Sequence, residues 1–350
     1  MRSMKAAVLH APGDLRIEEV GIPKIEKSDD VIVRVRSVGI CGSDVHRIMT
    51  TGTYRYPLIP GHEFSGQVYE TGKDVTGINA GDRVVAVPIK PCFVCDACQK
   101  GHYGQCADYD YIGSRCDGAF AEYVRVPARN IIRIPDSITY QEAALVEPSA
   151  VSLHGICKVK VESGDTVIVF GCGVIGLLIM QLAKIMGAAN IIAVDILQEK
   201  LEYAHSIAGA VTVNANEADP IQCIMDITGN KGGDLAIETA GVCATQVQCL
   251  NAVKESGRVL YLGTAHKEIT FPPEVFEKLV RKEYTVTGAW NSYSAPFPGR
   301  EWKTILQYIQ DKRLNVKDII THQCDLTELP EMITKMLKNS FIYGKVLINF

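Results

Sequence analysis

Residues 166–183 read TVIVFGCGVIGLLIMQLA, a stretch without charge that carries three glycines close together. A membrane-spanning helix is an alternative at this length, but such a helix has little use for that glycine spacing. A strand, a tight turn and a buried helix fit better. The alternation of strand-like and helix-like runs continues to about residue 290, in the runs NIIAVD, LQEKLEYAHSIAG, LAIET, RVLYLG and YTVTG. It predicts an α/β fold with a doubly wound parallel sheet, covered by helices on both faces.

The glycines form the pattern G-x-G-x-x-G at Gly171, Gly173 and Gly176, directly after the strand and at the start of the helix. The first permits the turn, the second lets the backbone approach a pyrophosphate, and the third allows close packing of helix on strand. The free N–H groups of the helix N-terminus, at Val174 and Ile175, would then face the phosphates. The segment predicts a Rossmann-type dinucleotide site.

An acidic residue follows at the position that selects the cofactor. Asp195 ends the next strand, nineteen positions after Gly176. A carboxylate there can accept hydrogen bonds from the adenosine ribose and repels a 2′-phosphate, so NAD is favoured over NADP. The alternative is that Asp195 only caps the following helix.

The chain on either side of this segment differs in character. Before about residue 155, short β-like runs such as VIVRVRSVGI and AEYVRVP alternate with Pro, Gly and Asp turns. After residue 290 the loop SYSAPFPG precedes an amphipathic helix and a closing strand, GKVLINF. We therefore predict a β-rich domain from residues 1–155 and 291–350, and a nucleotide-binding domain from residues 156–290.

Composition narrows the range of partners and compartments. The 350 residues are 47% hydrophobic and 22% charged, with a formal net charge of −4. These values are ordinary for a globular protein and disfavour a nucleic-acid or anionic membrane partner, which would favour a basic face. Twelve cysteines and the absence of a secretory leader in MRSMKAAVLH indicate a reducing cytoplasm.

Four cysteines are clustered in the run PCFVCDACQKGHYGQC, at Cys92, Cys95, Cys98 and Cys106. Two-residue gaps let successive thiolates fold onto one tetrahedral ion, and a fourth sulfur closes the shell, as in structural zinc sites. Disulfides and chance clustering are the alternatives, although disulfides suit a small secreted chain. The motif predicts a structural zinc lobe over residues 90–110 and raises the question of a second metal site with an open position.

A second group of metal-ligand types lies in two short segments. VGICGSDVHR contains Cys41, and GHEFSG, about twenty residues on, contains His62 and Glu63. A thiolate, an imidazole and a carboxylate are ligand types of catalytic zinc sites that keep one position for substrate or water. Glu147 is a further carboxylate, shortly before the nucleotide-binding region. Burial as an ordinary core residue is the alternative for each of them alone, and spacing does not prove that they converge.

The stretch GHEFSGQVYETGKDV, residues 61–75, matches the signature G-H-E-x-x-G-x(5)-G-x(2)-V at every defined position. With Cys41, the four-cysteine lobe and the glycine pattern, nearly the whole chain resembles the zinc-dependent medium-chain alcohol and polyol dehydrogenases. It is most similar to their sorbitol and threonine dehydrogenase branch, because Glu63 and Glu147 both stand near the metal position. The resemblance implies a GroES-like catalytic domain, NAD, one catalytic and one structural zinc, and a homodimer or homotetramer.

The resemblance also implies a ligand set and a reaction. Cys41 and His62 would be fixed ligands of the catalytic zinc, and Glu63 or Glu147 would complete the set, directly or through water. Zinc would act as a Lewis acid that lowers the pKa of a substrate hydroxyl, and hydride would pass from the carbinol carbon to NAD.

Proton removal falls, by the same resemblance, to Ser43, with His46 as an acceptor on the solvent side. Ser43 is also well suited to a simple turn in the C-G-S-D segment. A lone histidine such as His46 could equally cap or pack.

Two longer stretches, CDACQKGHYGQCADYDYIGSRCDGAFAEY and GAWNSYSAPFPGREW, are similar to the galactitol-1-phosphate 5-dehydrogenases. A phosphorylated polyol needs a cation away from the zinc, and Arg115 and Arg300 are candidates in these stretches. Trp290 and Asn291 stand where sorbitol dehydrogenases have an Arg-Tyr pair. The resemblance implies a polyol or polyol phosphate substrate, best matched by oxidation of galactitol 1-phosphate to tagatose 6-phosphate. Sorbitol, threonine and butanediol dehydrogenases are the alternatives.

Two other classes of protein compete with an enzyme. In a zinc-ribbon module the lobe would contact nucleic acid, but between Cys92 and Cys106 the only cation is Lys100, which Asp96 offsets. An inactive, cofactor-binding regulator would have lost ligands at the open site, and here every candidate is present.

Overall fold

A computed structural model describes residues 2–350 of the chain. They form two compact units. The first unit is Met1–Glu147, Tyr293–Lys312 and Val316–Phe350, and the second is Pro148–Ser292 and Arg313–Asn315.

The first boundary between the units lies eight residues before the predicted one, at 147 instead of 155. A single helix, Val146–Val159, crosses it. The carbonyl of Val159 accepts a hydrogen bond from the guanidinium of Arg258 in the second unit (3.2 Å). Residues 148–159 of this helix therefore belong to the second unit, whereas the sequence had predicted only residues 156–159 there. The second boundary, at 292, is close to the predicted 290.

The elements follow one another in the order expected for a β-rich segment, an alternating segment and a short closing segment. Up to the first boundary they are β1 (Ser3–Ala11), β2 (Asp14–Gly21), β3 (Asp30–Gly39), α1 (Gly42–His46), β4 (Glu63–Thr71), β5 (Arg83–Ala86), β6 (Ile89–Lys90), α2 (Asp96–Gln99), β7 (Asp110–Tyr111), β8 (Tyr123–Pro127), β9 (Ile131–Arg133), α3 (Tyr140–Ala144) and α4 (Val146–Val159). Then come β10 (Thr166–Phe170), α5 (Val174–Ile185), β11 (Asn190–Asp195), α6 (Gln198–Ala208), β12 (Val211–Asn214), α7 (Pro220–Ile227), β13 (Gly233–Glu238), α8 (Cys243–Ala252), β14 (Val253–Tyr261), α9 (Pro273–Arg281) and β15 (Thr285–Gly288). The last are α10 (Arg300–Gln310), β16 (Ile320–Asp325), α11 (Leu329–Leu337) and β17 (Lys345–Asn349).

The first unit is organised by a seven-stranded sheet in the order β16-β17-β3-β4-β5-β9, with β8 also paired to β3. Strand β3 lies at its centre, antiparallel to β4, β8 and β17. Its valines Val31, Val33 and Val35 recur every second residue and are completely buried in the core of this unit, as a period of two requires of a strand. The chain's last strand is thereby fixed next to its third.

The second unit has one parallel sheet of six strands, in the order β12-β11-β10-β13-β14-β15. Strand β10 is buried on both faces. Ile168 and Phe170 lie in one core cluster, and Val167 and Val169, which alternate with them, are also fully buried. A strand that is apolar at every position is typical of a parallel sheet with helices on both sides. The predicted doubly wound sheet is confirmed.

The apolar stretch that resembled a membrane span is divided between β10 and α5. Within residues 2–350, no helix combines the length and the hydrophobicity needed to cross a bilayer.

Candidate active site and metal centres

The four clustered cysteines converge in the first unit. Their sulfur atoms lie 3.5 Å apart for Cys92 and Cys106, 3.9 Å for Cys95 and Cys106, and 4.0 Å for Cys92 and Cys98. A zinc ion with four sulfurs at about 2.3 Å in a tetrahedron separates them by about 3.8 Å, whereas a disulfide requires about 2.05 Å. The spacing fits a metal with four thiolates and does not fit a disulfide, and none of the twelve cysteines forms a disulfide.

Backbone N–H groups prepare this lobe for negative charge. The amide of Cys92 donates to the sulfur of Cys106, and the amide of Cys95 donates to the sulfur of Cys92, both at 3.3 Å. Amides near Ala107 and Cys98 lower the pKa of Cys95 to about 6. Donors aimed at sulfur stabilise thiolates, which are the form that binds a metal.

A second cluster forms where two paired strands end. Strand β3 ends at Gly39, which lies opposite Glu63 at the start of β4. The chain after β3 therefore places Cys41 beside the segment that carries His62 and Glu63. One ligand atom from each of these three residues lies within 4.8 Å of the others. Sulfur, nitrogen and oxygen at such separations can surround one ion and leave a position open.

Asp44 fixes the histidine of this cluster. Its carboxylate is buried and lies 3.3 Å from Nδ1 of His62, while its other oxygen accepts from the amide of Cys41 at 3.4 Å. Burial lowers the pKa of His62, but Asp44 and Cys41 outweigh it, and the pKa lies well above its usual value. Oδ1 of Asp44 and Nδ1 of His62 are within ion-pair distance but do not form an aligned hydrogen bond, and a carboxylate beside one ring nitrogen is usual for a metal-binding histidine.

Glu63 is held by a cation from the end of the chain. Its carboxylate forms an ion pair with Lys345 on β17, and both side chains are almost completely buried. The Lys345 ammonium also donates to the carbonyl of Ile40 at 3.2 Å. A Cβ at residue 39 would lie 2.3 Å from Oε2 of Glu63, so any residue other than glycine would displace this carboxylate. The carboxylate is thus fixed from two sides.

Glu147 lies next to this cluster but outside the group of three. It is buried in the first turn of α4, and its Oε1 accepts from the hydroxyl of Tyr111 at 3.4 Å. Burial raises the pKa of Glu147 to about 7, although the charge of His62 opposes the shift. The ring of Tyr111 meets His62 edge-on, with centroids 5.7 Å apart. The two carboxylates that sequence reasoning could not separate thus occupy different environments.

Ser43 is adjacent to the cluster and polarised by a cation. Its hydroxyl donates to the sulfur of Cys41 and accepts from the guanidinium of Arg47, both at 3.2 Å. Arg47 also lies 3.7 Å from the carboxylate of Asp44. His46, the residue before Arg47, is exposed at the end of α1.

The glycine pattern of the second unit has the expected form. Gly171 adopts a φ of 97°, and a Cβ on Gly176 would lie 2.0 Å from the carbonyl oxygen of Gly171. Gly173 precedes α5, which begins with Val174 and Ile175. The free amides of the first helical turn therefore lie directly after the turn, where a phosphate can accept from them.

Asp195 makes more contacts than its predicted role requires. One carboxylate oxygen accepts from the amide of Cys172 in the glycine turn at 2.7 Å. The other accepts from Ile196 and Leu197 at 2.8 and 3.1 Å. The N-cap of α6 is Leu197, so Asp195 is not the capping residue. It ties β11 to the glycine turn, and a carboxylate has lone pairs left for a ribose.

The two candidate phosphate contacts differ in setting. Arg115 lies between the rings of Tyr54 and Tyr109. Arg300 is exposed as the first residue of α10. Both belong to the first unit.

Four contacting residues were missed as site residues by sequence reasoning: Asp44, Arg47, Tyr111 and Lys345. Asp44 follows Cys41 by three positions, a spacing that could have been recognised as a side chain returning to the start of a helical turn. Lys345 lies 282 residues from Glu63, and nothing local in the closing strand GKVLINF marks it.

Comparisons with known proteins agree with this architecture. Residues 27–136 match the alcohol dehydrogenase GroES-like domain, and residues 174–311 match the zinc-binding dehydrogenase family. The galactitol 1-phosphate 5-dehydrogenase of Escherichia coli K12 is 37% identical, covering 99% of both chains. The sorbitol dehydrogenase of Bacillus subtilis is 32% identical, covering 96% of this chain and 94% of its own.

Solved structures give the same result. The crystal structure of galactitol-1-phosphate dehydrogenase from Escherichia coli has a TM-score of 0.94 at 37% identity, covering 99% of this chain and 100% of its own. A zinc-binding dehydrogenase of Sinorhizobium meliloti, bound to NADP, has a TM-score of 0.91 at 30% identity, with both chains covered completely.

The chain belongs to the zinc-dependent medium-chain dehydrogenases, and it is an oxidoreductase that acts on CH–OH groups. The predicted family and fold class, a GroES-like domain with a Rossmann domain, are confirmed. The roles of individual residues remain predictions.

Replacing Lys345 with methionine leaves the carboxylate of Glu63 buried without its cation. We expect Lys345→Met to lower the free energy of unfolding by about 3–5 kcal/mol, because a broken buried pair leaves an uncompensated charge. Urea titration of the purified protein measures the change. The matched control is Lys335→Met, which breaks an exposed pair with Glu331 and should change stability little. Equal small effects of the two variants would contradict the assigned importance of the buried pair.

Proposed function

We propose that this enzyme oxidises a secondary hydroxyl of a polyol phosphate with NAD, and that the reaction is galactitol 1-phosphate to tagatose 6-phosphate. The observation that carries the reaction class is the open cluster of Cys41, His62 and Glu63, in a unit that also holds a closed cluster of four sulfurs. The substrate rests on the similarity to galactitol-1-phosphate dehydrogenases over nearly the whole chain.

The charges around the open cluster support a divalent cation. Four groups are anionic when a metal is bound: the carboxylates of Asp44, Glu63 and Glu147, which are buried, and the thiolate of Cys41. Lys345 and, through Asp44, Arg47 supply two positive charges. Two negative charges are then left over (four minus two), which a doubly charged ion neutralises.

In this proposal Cys41, His62 and Glu63 hold zinc, and Glu147 acts at the remaining position through water or by direct contact. Bound zinc supplies Lewis-acid polarisation of a substrate hydroxyl, and NAD supplies the hydride acceptor. The cluster of Cys92, Cys95, Cys98 and Cys106 holds a second zinc that stabilises its lobe without an open position.

Proton removal in this proposal uses Ser43. Its hydroxyl receives the proton of the substrate hydroxyl and passes its own outward, with His46 as the acceptor at the exposed end of α1. Arg47 donates to the Ser43 oxygen, and a cation there stabilises negative charge as it develops on that oxygen.

We further propose NAD as the cofactor, bound at Gly171, Gly173, Val174, Ile175 and Gly176. Support comes from Asp195, whose carboxylate lies against the glycine turn and would repel a 2′-phosphate.

The runner-up within the family is a dehydrogenase of an unphosphorylated alcohol, such as sorbitol, threonine or butanediol. The similarity to the Bacillus subtilis sorbitol dehydrogenase favours it.

Assembly and compartment are part of the proposal. The exposed apolar side chains of Phe276, Val280, Val286 and Trp290 lie on or near α9 and β15, the edge of the parallel sheet. An open edge with apolar neighbours favours pairing with a second copy, so we propose a homodimer or homotetramer; a monomeric mass by light scattering would contradict it. Twelve cysteines without a disulfide favour the cytoplasm, and recovery from a periplasmic fraction would argue against it.

Metal analysis of two serine variants separates the two zinc roles. Cys41→Ser should reduce zinc from about two to about one ion per chain, abolish turnover and leave NAD binding nearly intact. Cys98→Ser should also lose about one ion but mainly lower the thermal stability. Zinc content, activity and melting temperature are measured on the same preparations. Activity retained by Cys41→Ser would rule out its role as a ligand.

Substrate choice is tested by NAD reduction with galactitol 1-phosphate, galactitol, sorbitol, threonine and butanediol. We expect kcat/KM to be at least about tenfold higher for the phosphorylated polyol, because a charged group adds charge-assisted hydrogen bonds. NADP in place of NAD should lower the rate. Equal or better rates with an unphosphorylated substrate would contradict the phosphate claim.

A further inference from the structure

We propose that Arg115, held between Tyr54 and Tyr109, is the receptor for the phosphate of the substrate. The inference rests on the proposed function and extends it, because it assigns the discrimination between a polyol phosphate and a plain polyol to one side chain and its aromatic clamp.

The clamp presents the guanidinium in one orientation. The Arg115 guanidinium carbon lies 4.0 Å from the ring centroid of Tyr54 and 4.3 Å from that of Tyr109. A planar guanidinium stacks well on aromatic rings, and contact with two of them at these distances restricts its motion. A guanidinium carries its N–H donors in one plane, and a phosphate can accept hydrogen bonds from two of them at once. The clamp thus orders the donors before a ligand arrives.

The charge of Arg115 contacts the two tyrosine rings but is not neutralised by a carboxylate. Across residues 2–350, no carboxylate lies within ion-pair distance of its guanidinium, whereas nearby Arg55 is paired with Asp117 and Arg47 with Asp44. The Nε atom of Arg115 is buried and has no hydrogen-bond partner among those residues. A buried donor without a partner costs stability, and the two terminal nitrogens of the guanidinium carry four further N–H donors for an anionic ligand.

The backbone of Arg115 is linked to the metal cluster through Tyr111. The amide of Arg115 donates to the carbonyl of Tyr111 at 2.9 Å, and Tyr111 contacts both His62 and Glu147. Arg115 therefore begins one turn away from a residue that touches the cluster.

The loop that carries Tyr54 follows the helical turn of Arg47, whose guanidinium bonds Ser43. The two loops are joined by the ion pair of Arg55 and Asp117 at 2.9 Å. This pair lies one residue beyond Tyr54 and two beyond Arg115, so it holds the ring over the guanidinium.

A polyol phosphate matches this arrangement. Its phosphate and the hydroxyl to be oxidised lie at opposite ends of a short chain, so a cation near the cluster but not in it can bind one end while the other reacts. A phosphate dianion also gains more from a desolvated arginine than a neutral hydroxyl does. The competing interpretation is that the clamp only pins two loops together.

The experiment compares kcat/KM for galactitol 1-phosphate and for galactitol in wild type, Arg115→Gln and Arg115→Lys. We expect Arg115→Gln to reduce the ratio of the two values by about 10- to 150-fold, as loss of charged hydrogen bonds does, and Arg115→Lys to restore part of it. Inorganic phosphate should inhibit the wild type competitively and Arg115→Gln weakly. Arg16→Gln, an exposed arginine of the β1–β2 hairpin, is the matched control and should keep the wild-type ratio.

Each outcome decides between the possibilities. If the wild type does not prefer the phosphorylated substrate, the proposed substrate fails, and the receptor fails with it. If the wild type prefers it and Arg115→Gln keeps that preference, only the receptor is overturned. An equal loss on both substrates, with a lower melting temperature, would show a structural pin. Should Arg115→Gln not fold, Tyr54→Leu removes only one exposed ring and is expected to lower the same ratio; an unchanged ratio would overturn the proposal.

Discussion

The pairing of β3 with β4 is the constraint on which the candidate site depends. Because Gly39 lies opposite Glu63, the residues that follow one strand and precede the other must meet, and they are Cys41 and His62. Two segments about twenty residues apart in sequence are brought together by backbone register alone. Strand β17 pairs with the same end of β3 and adds Lys345 to the group. A register shift of one residue would turn these side chains to opposite faces of the sheet.

Electrostatic compensation makes this meeting point stable. Three buried carboxylates and a thiolate would repel one another without cations, and each carboxylate has an identified partner or position. Asp44 faces His62 and Arg47, Glu63 faces Lys345, and Glu147 accepts from Tyr111. In the proposed function, a divalent ion would complete the balance and leave a position where a hydroxyl can be polarised. The positions of the proposed metal ligands therefore depend on the side chains that contact them.

Much of this could be predicted from sequence, for physical reasons. The alternation of β10 to β15 with helices is a local pattern, and so is the glycine turn at Gly171, so both predicted the parallel sheet. The spacing of Cys92, Cys95 and Cys98 predicted a convergent sulfur cluster because ligands two residues apart can reach one ion. Lys345 was not predictable, because its pairing with Glu63 depends on the register of a strand from the far end of the chain. The predicted boundary at 155 differs from the observed one at 147, because α4 continues without interruption across that part of the chain.

We propose that the chain holds one open and one closed zinc site. A crystal of the purified enzyme, measured on both sides of the zinc absorption edge, locates the metal without assumptions about ligands. We expect two peaks in the zinc anomalous difference map. One lies among the sulfurs of Cys92, Cys95, Cys98 and Cys106, and the other lies between Cys41, His62 and Glu63. A map with zinc only at the four sulfurs, or with the second peak away from Cys41, would contradict it.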